Sequence, residues 1–416
     1  MFDPQRRKQS RPPSRRDSAP PGSESWPTPW VQIKYFTFHP NIFPNMIAAA
    51  SRDAKCGDVV TVYNRDGDAF GHAFFNPNAR VPLRIFQHGP EPIEADFLTK
   101  RIRQAVELRL STFKLTEQTE AFRVIHSDGD GIPGLVVDKY DDVLSIETTN
   151  ATAHQRVGEW LPLLHELLGT KRQVIHFDEV AMRAEDMQLR DMNDHTALQS
   201  NVREVRLREN GVRFAVNFES GHKTGFFCDQ RDNRRQFAQW AQGRVLDVCC
   251  YTGGFAMAAR VLGKAEDVTG VDLDEKAIEQ AKRNANLNEQ TRMNFVHADA
   301  FTYMRQMQTN GATWDTVVLD PPKLIRSREG FDEGKAKYHD LNKLALSLVA
   351  RGGLFLTCSC SGQMHVEEFE EIVIGLAHRN GRKLQILDRT GAGADHPVMS
   401  NCPESRYLKA LWARVW

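Results

Sequence analysis

The chain of 416 residues is 41% hydrophobic, and its 54 basic and 54 acidic side chains give a formal net charge of zero. This length exceeds what one hydrophobic core usually organises, so two or three domains are expected. The neutral balance argues against binding nucleic acid through overall charge, although one basic groove would suffice for an enzyme that acts on RNA. The chain has no run of about 18 apolar residues and no secretory signal, which favours a cytoplasmic enzyme without a membrane partner.

The seven cysteines are predicted to be reduced thiols. They are odd in number, scattered or placed in strand-like runs, and show neither C-x-x-C nor a Cys/His spacing. That pattern argues against a disulfide framework and against a zinc site. No metal is therefore predicted.

Three units are predicted before residue 207. Residues 1–29 are rich in Arg, Pro and Ser without periodic apolar positions, which predicts a disordered basic tail, either a solvated leader or an arm that contacts RNA. Residues 30–89 contain short alternating stretches separated by Gly and Asn turns, which is typical of a small β-barrel. Residues 90–206 begin with a charged helix and continue through strands into a second helix, which predicts an α+β domain.

Residues 207–416 predict an α/β fold, a mostly parallel, doubly wound sheet with helices on both faces. Five strand-like runs are each followed by a helical one, and these runs are RVLDVCC, DVTGVDLD, MNFVHADA, TVVLDPP and LFLTCSCS. Two further strands, KLQILDRTG and YLKALWARVW, are predicted to close the sheet as edge strands.

Ligands of such sheets lie beyond the carboxyl ends of the strands, so the residues that follow each strand form the candidate site. The first four strands each end near an acidic residue, namely Asp247, Asp272, Asp299 and Asp320. Asp272 stands at the spacing at which an acidic side chain binds ribose hydroxyls. Gly253 and Gly254 after the first strand would let a ligand approach the backbone at a helix start. The turn lacks G-x-G-x-x-G, which argues against a nicotinamide enzyme.

The Asp-Pro-Pro triplet after the fourth strand, together with these acidic residues, resembles the class I S-adenosylmethionine-dependent methyltransferases that act on bases. Over nearly all of the chain beyond residue 30, the sequence resembles the bacterial 23S ribosomal RNA cytosine-5 methyltransferase family, through HKTGFFCDQRDNR, YTGGF, DPPK, SCSG, ADHPV and YLKALWARV. The resemblance implies a PUA barrel, a central α+β domain, a Rossmann-like methyltransferase domain, the cofactor S-adenosyl-L-methionine and ribosomal RNA as partner. Asn41 stands where the family's barrel commonly carries Trp, so contact between the barrel and RNA stays open.

Cytosine-5 methylation needs a thiol, because C5 is a poor nucleophile until a thiolate has added to C6. In the strand order usual for this class, strands four and five are neighbours, so Asp320 and Cys360 would face one cleft. Cys358 shares the side-chain parity of Cys360 but lies one pleat earlier, in an apolar run. We therefore predict Cys360 as the nucleophile, Asp320 as the carboxylate beside the base and Cys358 as a packing residue. The site is expected to lower the pKa of the thiol or to place a base beside it, and the candidates for this are Lys323 and the following helix start.

The resemblance also implies a cofactor site and an RNA-binding stretch. The predicted cofactor residues are Asp247, Tyr251, Gly253, Gly254, Asp272, Asp299, Ala300, Asp229, Gln230 and Arg231. Lys223 and Phe226 belong to the same family segment as the last three, although that segment also suits an ordinary helix against the sheet. Residues 323–342 are charged and punctuated by glycine, which predicts a mobile lid or a solvated loop. The residues predicted to meet RNA phosphates are Lys323, Arg326, Arg328, Lys335 and Lys337.

Two other functions remain open at this stage. One is a base methyltransferase acting on a guanine nitrogen, in which Cys360 would only pack. The other is an RNA-binding or ribosome assembly factor without turnover, against which the acidic residues and Cys360 argue. The role of His396 in ADHPV, the target nucleotide and the oligomeric state, a homodimer included, also stay open.

Overall fold

The computed structural model describes residues 19–177, 179–186, 198–219 and 225–416, so positions 1–18 of the predicted tail and Lys223 lie outside the described residues. The strands are β1 Trp30–Ile33, β2 Asn41–Ile42, β3 Ile47–Ala50, β4 Asp58–Tyr63, β5 Ala69–Phe75, β6 Leu83–His88, β7 Ala121–His126, β8 Leu135–Tyr140, β9 Val143–Thr148, β10 Arg172–Phe177, β11 Glu204–Glu209, β12 Val212–Asn217, β13 Gln242–Val248, β14 Lys264–Asp272, β15 Met293–His297, β16 Trp314–Leu319, β17 Val349–Ser359, β18 Leu384–Thr390 and β19 Lys409–Val415.

The helices are α1 Phe97–Glu107, α2 Ala151–Leu168, α3 Glu179–Ala184, α4 Arg231–Trp240, α5 Gly254–Val261, α6 Glu275–Leu287, α7 Ala300–Thr309, α8 Phe331–Leu348 and α9 Val366–Arg379. In the described parts of the chain, none of these helices has both the length and the apolar composition that crossing a bilayer requires.

The N-terminal sheet has the order β2-β6-β5-β4-β1-β3. Alternate residues of β4, such as Val60 and Val62, are fully buried in a core of their own. This arrangement confirms the small β domain. Strand β1 ends at Ile33, and the following Tyr35, Phe36 and Phe38 are exposed.

The central sheet has the order β10-β9-β8-β7, and α1 and α2 contribute to its core. Helix α2 begins where its sequence favours a start, since the Asn150 side chain accepts a hydrogen bond from the Ala153 amide at 2.8 Å. It ends at Gly169, which adopts the left-handed conformation with φ 64°. The predicted domain boundary at 206/207 falls inside β11, which forms a hairpin with β12. The other domain boundaries stay predictions.

The third sheet has the order β15-β14-β13-β16-β17-β19-β18. Its first five strands are parallel, which confirms the doubly wound α/β architecture. The prediction that β19 is an edge strand was wrong, because β19 runs antiparallel between β17 and β18. The residues of β19 are buried on both faces of the sheet, and Trp412 is completely buried. A strand inside the sheet is covered on both faces, which explains why its sequence is almost continuously apolar.

The strand register brings the candidate residues to one edge of the sheet. Val248 of β13 is paired with Leu319 of β16, and Leu319 with Thr357 of β17. The carboxyl ends of these three parallel strands therefore meet at the switch point of strand order.

Candidate active site and cofactor cleft

Asp320 directly follows β16, at the edge of the sheet where the carboxyl ends of the parallel strands meet. The Gln230 side chain donates a hydrogen bond to Asp320 Oδ2 at 2.9 Å, and Asn233 fixes Gln230 by donating to its Oε1 at 2.6 Å. Burial and then the charge of Asp229 raise the pKa of Asp320 to about 7. A carboxyl with this pKa carries a proton in part of the molecules near neutrality and is suited to acid–base chemistry.

Cys360 lies one residue beyond β17, next to the loop that follows Asp320. Its half-buried Sγ contacts the main-chain oxygen of Pro321 at 3.8 Å. Cys358 is fully buried in the core, as predicted, and burial raises the pKa of its thiol well above the ordinary value. The geometry thus separates the two thiols into one in the sheet core and one that is half-buried just beyond the end of the strand.

The turn that carries Cys360 is anchored on two sides. The Ser361 hydroxyl accepts a hydrogen bond from the Ile325 amide at 3.1 Å and shares another with the Tyr338 hydroxyl at 3.0 Å. From β19, Lys409 Nζ donates to the main-chain oxygen of Ser361 at 2.6 Å and to that of Met364 at 3.0 Å. Sequence reasoning missed Tyr338 and Lys409. The signal for the lysine was a lone charge inside the apolar strand LKALW.

Asp247 fits an ammonium ligand. It is buried, and its Oδ2 accepts a hydrogen bond from the Ala256 amide at 2.9 Å, which holds the start of α5. Its Oδ1 has no hydrogen-bond partner among the described residues, and burial raises the pKa of the carboxyl to about 8. An unpartnered buried carboxylate oxygen is costly unless a ligand pairs with it, and the amino group of S-adenosylmethionine is a donor of the required charge.

The glycine turn and Asp272 form the next part of the cleft. Asp272 Oδ2 accepts a hydrogen bond from the Tyr251 amide at 2.8 Å, and Oδ1 accepts one from the Asp274 amide at 2.9 Å. Each oxygen keeps a second lone pair, which suits ribose hydroxyls. Gly253 is left-handed, with φ 82°, and a Cβ on Gly254 would meet Arg234 Cδ at 3.0 Å. Backbone conformation and packing thus favour glycine at both positions, and the approach of the cofactor to this turn stays a prediction.

Other predicted cofactor residues have structural partners. Exposed Asp299 caps α7 by accepting a hydrogen bond from the Thr302 amide at 2.9 Å, and half-buried Ala300 is the first residue of that helix. Their contact with adenine stays a prediction. Asp229 Oδ2 accepts a hydrogen bond from the Tyr407 hydroxyl at 2.5 Å, whereas its Oδ1 is buried without a partner in the described chain.

Arg231 forms a buried ion pair, and its contact with the cofactor stays a prediction. Its Nη1 and Nη2 donate to the two carboxylate oxygens of Asp395 at 2.8 and 3.0 Å, and its side chain is only 1% exposed. Asp395 also accepts a hydrogen bond from the Arg123 amide of β7, at 2.9 Å. His396 packs edge-on against His126, with ring centroids 5.0 Å apart. This segment therefore joins the central sheet to the third one.

The predicted lid is shorter than the sequence indicates. Helix α8 begins at Phe331, so residues 331–342 of this stretch are helical. The glycines of this stretch favoured a loop when only the sequence was considered. Gly334 instead lies inside α8, where it is needed for close packing, because a Cβ there would lie 2.5 Å from Ile325 Cγ1.

A cleft of about 440 Å³ lies beside the remaining loop and is lined by Pro322, Lys323, Leu324, Arg326, Ser327, Gly330, Glu333 and Lys337. Three of the five basic residues predicted to meet RNA line this cleft, namely Lys323, Arg326 and Lys337. Arg328 is exposed on the same loop, and Lys335 pairs with Glu368 at 2.5 Å.

Among the described residues, His39, Cys402 and Glu404 lie close enough together to share a metal ion. His39 Nδ1 accepts a hydrogen bond from the Asn41 amide at 3.0 Å, so the ring proton lies on Nε2 and points at Glu404, 2.6 Å away. A metal ion would bind through the lone pair of Nε2, and a nitrogen that carries a proton has no lone pair to offer. The cluster is therefore a hydrogen-bonded contact between the barrel and the third domain.

The sheet order and the acidic cleft define a class I S-adenosylmethionine-dependent methyltransferase. A family model described as S-adenosylmethionine-dependent methyltransferase matches residues 196–411, and one described as a PUA-like domain matches residues 32–88. The chain belongs to the family of the ribosomal RNA large subunit methyltransferase I proteins. It is 34% identical over 390 residues to that protein of Shewanella denitrificans, covering 91% of this chain and 96% of the relative. It is 35% identical over 386 residues to that of Vibrio cholerae, covering 91% and 95%.

Solved structures show the same fold over most of the chain. A crystal structure of a methyltransferase complexed with SAH has a TM-score of 0.72 at 22% identity and covers 87% of this chain and 92% of its own. A SAM-dependent methyltransferase from Streptococcus mutans has a TM-score of 0.71 at 20% identity, with coverage of 88% and 93%. S-adenosylmethionine is thus confirmed as the cofactor.

Proposed function

We propose that the protein methylates C5 of a cytosine in large-subunit ribosomal RNA, with Cys360 as the nucleophile. The observation that carries the proposal is the position of the Cys360 thiol, 3.8 Å from the carbonyl oxygen of the residue that follows Asp320. Methylation of a guanine nitrogen would require no thiol at this place. The relatives are named as ribosomal RNA large subunit methyltransferases, which supports this class of substrate.

The first chemical step is addition of the Cys360 thiolate to C6 of the base. An S–C6 bond forms, and the electron pair of the C5–C6 double bond moves to C5 and through C4 to N3. Asp320, whose pKa of about 7 leaves it protonated in part of the molecules, supplies a proton to N3. The adduct then has a nucleophilic C5.

S-adenosylmethionine supplies an electrophilic methyl group bonded to a sulfonium centre. Asp247 is suited to bind its amino group and Asp272 its ribose hydroxyls. After C5 has gained the methyl group, its proton passes to water, N3 returns its proton to Asp320, and the S–C6 bond breaks to release the thiolate. The base recovers its aromatic ring, and the enzyme returns to its starting state.

The cleft lined by Lys323, Arg326 and Lys337 supports an RNA substrate, because cations beside a base pocket position the phosphates that flank the target nucleotide. An enzyme of this type must remove the base from its stack, and unstacking costs about a few kcal/mol of free energy. Protein-free ribosomal RNA is therefore the expected substrate, in preference to an assembled subunit. Faster methylation of intact subunits than of naked RNA would contradict this preference.

The decisive experiment incubates the protein with radiolabelled S-adenosylmethionine and large-subunit ribosomal RNA, followed by digestion and identification of the labelled nucleoside. We expect 5-methylcytidine from the wild type and none from Cys360→Ala. The matched control is Cys358→Ala, which removes the neighbouring thiol and should keep activity in the fraction that folds. Label in a methylguanosine, or undiminished 5-methylcytidine from Cys360→Ala, would refute the proposal. A chain that binds this RNA but transfers no label would instead be an assembly factor.

A further inference from the structure

Lys409 is a buried ammonium group beneath the turn that carries Cys360. It is the first residue of β19, 4% exposed, and its strand register pairs it with Ser359, the residue before the thiol. Its two described hydrogen bonds go to the main-chain oxygens of Ser361 and Met364, which are neutral acceptors. A buried cation is costly unless an opposite charge faces it.

The charged and titratable groups around Lys409 come from three segments. Lys323 of the loop after β16 and Arg406 just before β19 are cations, whereas Cys360 of the turn after β17 is the group that becomes an anion. Burial is the main reason that the pKa of Lys409 is lowered to about 8. The charge of Cys360 acts in the opposite direction and raises the pKa, whereas the charges of Lys323 and Arg406 lower it. Lys409 is therefore mostly protonated at neutral pH, and among the described groups named above the one that becomes an anion is the Cys360 thiol.

Tyr338 of α8 is another titratable group near the same thiol. Burial and then the charge of Cys360 raise its pKa to about 12, so Tyr338 stays neutral and holds Ser361 through its hydroxyl. The cationic neighbour of Cys360 that is both buried and fixed by hydrogen bonds is thus Lys409.

The two sources of thiolate stabilisation predicted from the sequence are weaker. Lys323 is exposed, so water and salt screen its charge. The helix that follows the turn, α9, carries Glu367 and Glu368 in its first turn, and their negative charges oppose the helix dipole at that end. A buried ammonium acts through a medium of lower dielectric constant and is screened less.

We propose that Lys409 is a positioning residue that holds the Ser361–Met364 turn and stabilises the Cys360 thiolate, a role that rests on the proposed function of Cys360. No proton transfer by Lys409 is involved. The lysine keeps its proton and its place in the strand, and the thiol loses its proton to water before it meets the base.

The test measures alkylation of Cys360 by iodoacetamide in the full chain without RNA, from pH 6 to pH 9, by mass spectrometry of the peptide that contains it. Lys409→Gln keeps a donor for the two carbonyl oxygens but removes the charge, and Lys409→Met removes both. We expect the midpoint of alkylation to rise by about one pH unit in both variants, so that alkylation at pH 7 is about tenfold slower. Lys409→Arg keeps the charge and should keep the midpoint.

Lys323→Met is the matched control, because it removes an exposed lysine from the same neighbourhood and should shift the midpoint by less than Lys409→Gln. Thermal melting identifies the variants that fold. An unchanged midpoint in folded Lys409→Gln, or an equal shift in Lys323→Met, would overturn the proposal. Its failure is distinct from that of the proposed function, since the alkylation midpoint and 5-methylcytidine formation by Cys360→Ala are separate measurements.

Discussion

At the scale of single residues, the buried carboxyl of Asp247 makes stability depend on pH, and the proposed cofactor contact would couple ligand binding to that dependence. Its pKa in the folded chain is raised to about 8 by burial, whereas an unfolded Asp titrates near its ordinary value. Between these values the folded state binds a proton that the unfolded state has released. The free energy of unfolding therefore falls as the pH rises through this window. A bound ammonium group would offset that loss by pairing with the charged carboxylate.

Asp247→Asn should separate these two effects. An Asn keeps the acceptor for the Ala256 amide but cannot be charged. Without ligand, we expect a higher unfolding midpoint than the wild type, with a difference that grows from pH 5 to pH 8. SAH affinity measured by calorimetry should fall by about ten- to a hundredfold, the size of a lost charge-assisted hydrogen bond. Equal affinity in the two proteins would show that Asp247 does not bind the amino group.

Several of these residue positions were predictable from the sequence. The alternation of side chains along the strand and the position of the strand's end were sufficient to assign Cys358 to the core and Cys360 to the end of the strand. The contacts of Lys409 were not predictable, because they depend on atoms brought together by pairing distant strands, such as Ser359 with Lys409. The Arg231–Asp395 pair was missed because it joins a helix to a loop 164 positions further along the chain.

At the scale of elements, the five strand-and-helix units of the third domain were predictable because each strand is an apolar run and each helix has an amphipathic period. The errors fall where tertiary packing overrides local signals. The interior position of β19 depends on its neighbours in the sheet, and α8 starts early because Gly334 packs on the loop after the Asp-Pro-Pro triplet.

Gly334→Ala tests that packing. The added Cβ would lie 2.5 Å from Ile325 Cγ1 and 2.7 Å from the Leu324 carbonyl oxygen, so α8 or the loop must shift. We expect a loss of about 1–3 kcal/mol in the free energy of unfolding, measured by urea denaturation. The control is Gly375→Ala in α9, where the nearest atom is the flexible end of Arg379 at 3.6 Å. This change should be neutral or stabilise by about 0.4–1 kcal/mol. Equal stability of Gly334→Ala and wild type would contradict the close contact.

At the scale of the whole molecule, Asp395 is the charge that connects the central sheet to the methyltransferase sheet. It pairs with Arg231 of α4, its carboxylate accepts the Arg123 amide, and its main-chain oxygen accepts a hydrogen bond from Arg109 at 2.6 Å. Although burial acts in the opposite direction, His396 and Arg231 hold the pKa of Asp395 well below its ordinary value. Its stabilising contribution is thus present throughout the neutral range.

Asp395→Asn should therefore be severe. It leaves the buried guanidinium of Arg231 without its main counter-charge, which costs about 3–5 kcal/mol in comparable buried pairs. Chemical denaturation at pH 7 measures the loss, and separate transitions of the central and C-terminal domains would show that the pair couples them. The control is Glu333→Gln, which removes an exposed pair with Lys337 and should change stability by no more than about 0.5 kcal/mol. An Asp395→Asn loss as small as the control's would rule out the coupling.

The interior position of β19 also bears on how the chain is synthesised. Domains fold as the chain emerges from its amino end, so β17 is available well before the strand that covers its free edge. Strand β18 emerges earlier than β19 but reaches the sheet by pairing with it. Until Lys409 comes opposite Ser359, the apolar β17 presents an open edge of the kind that recruits other chains, and it is during this interval of translation that a nascent chain is most exposed to aggregation.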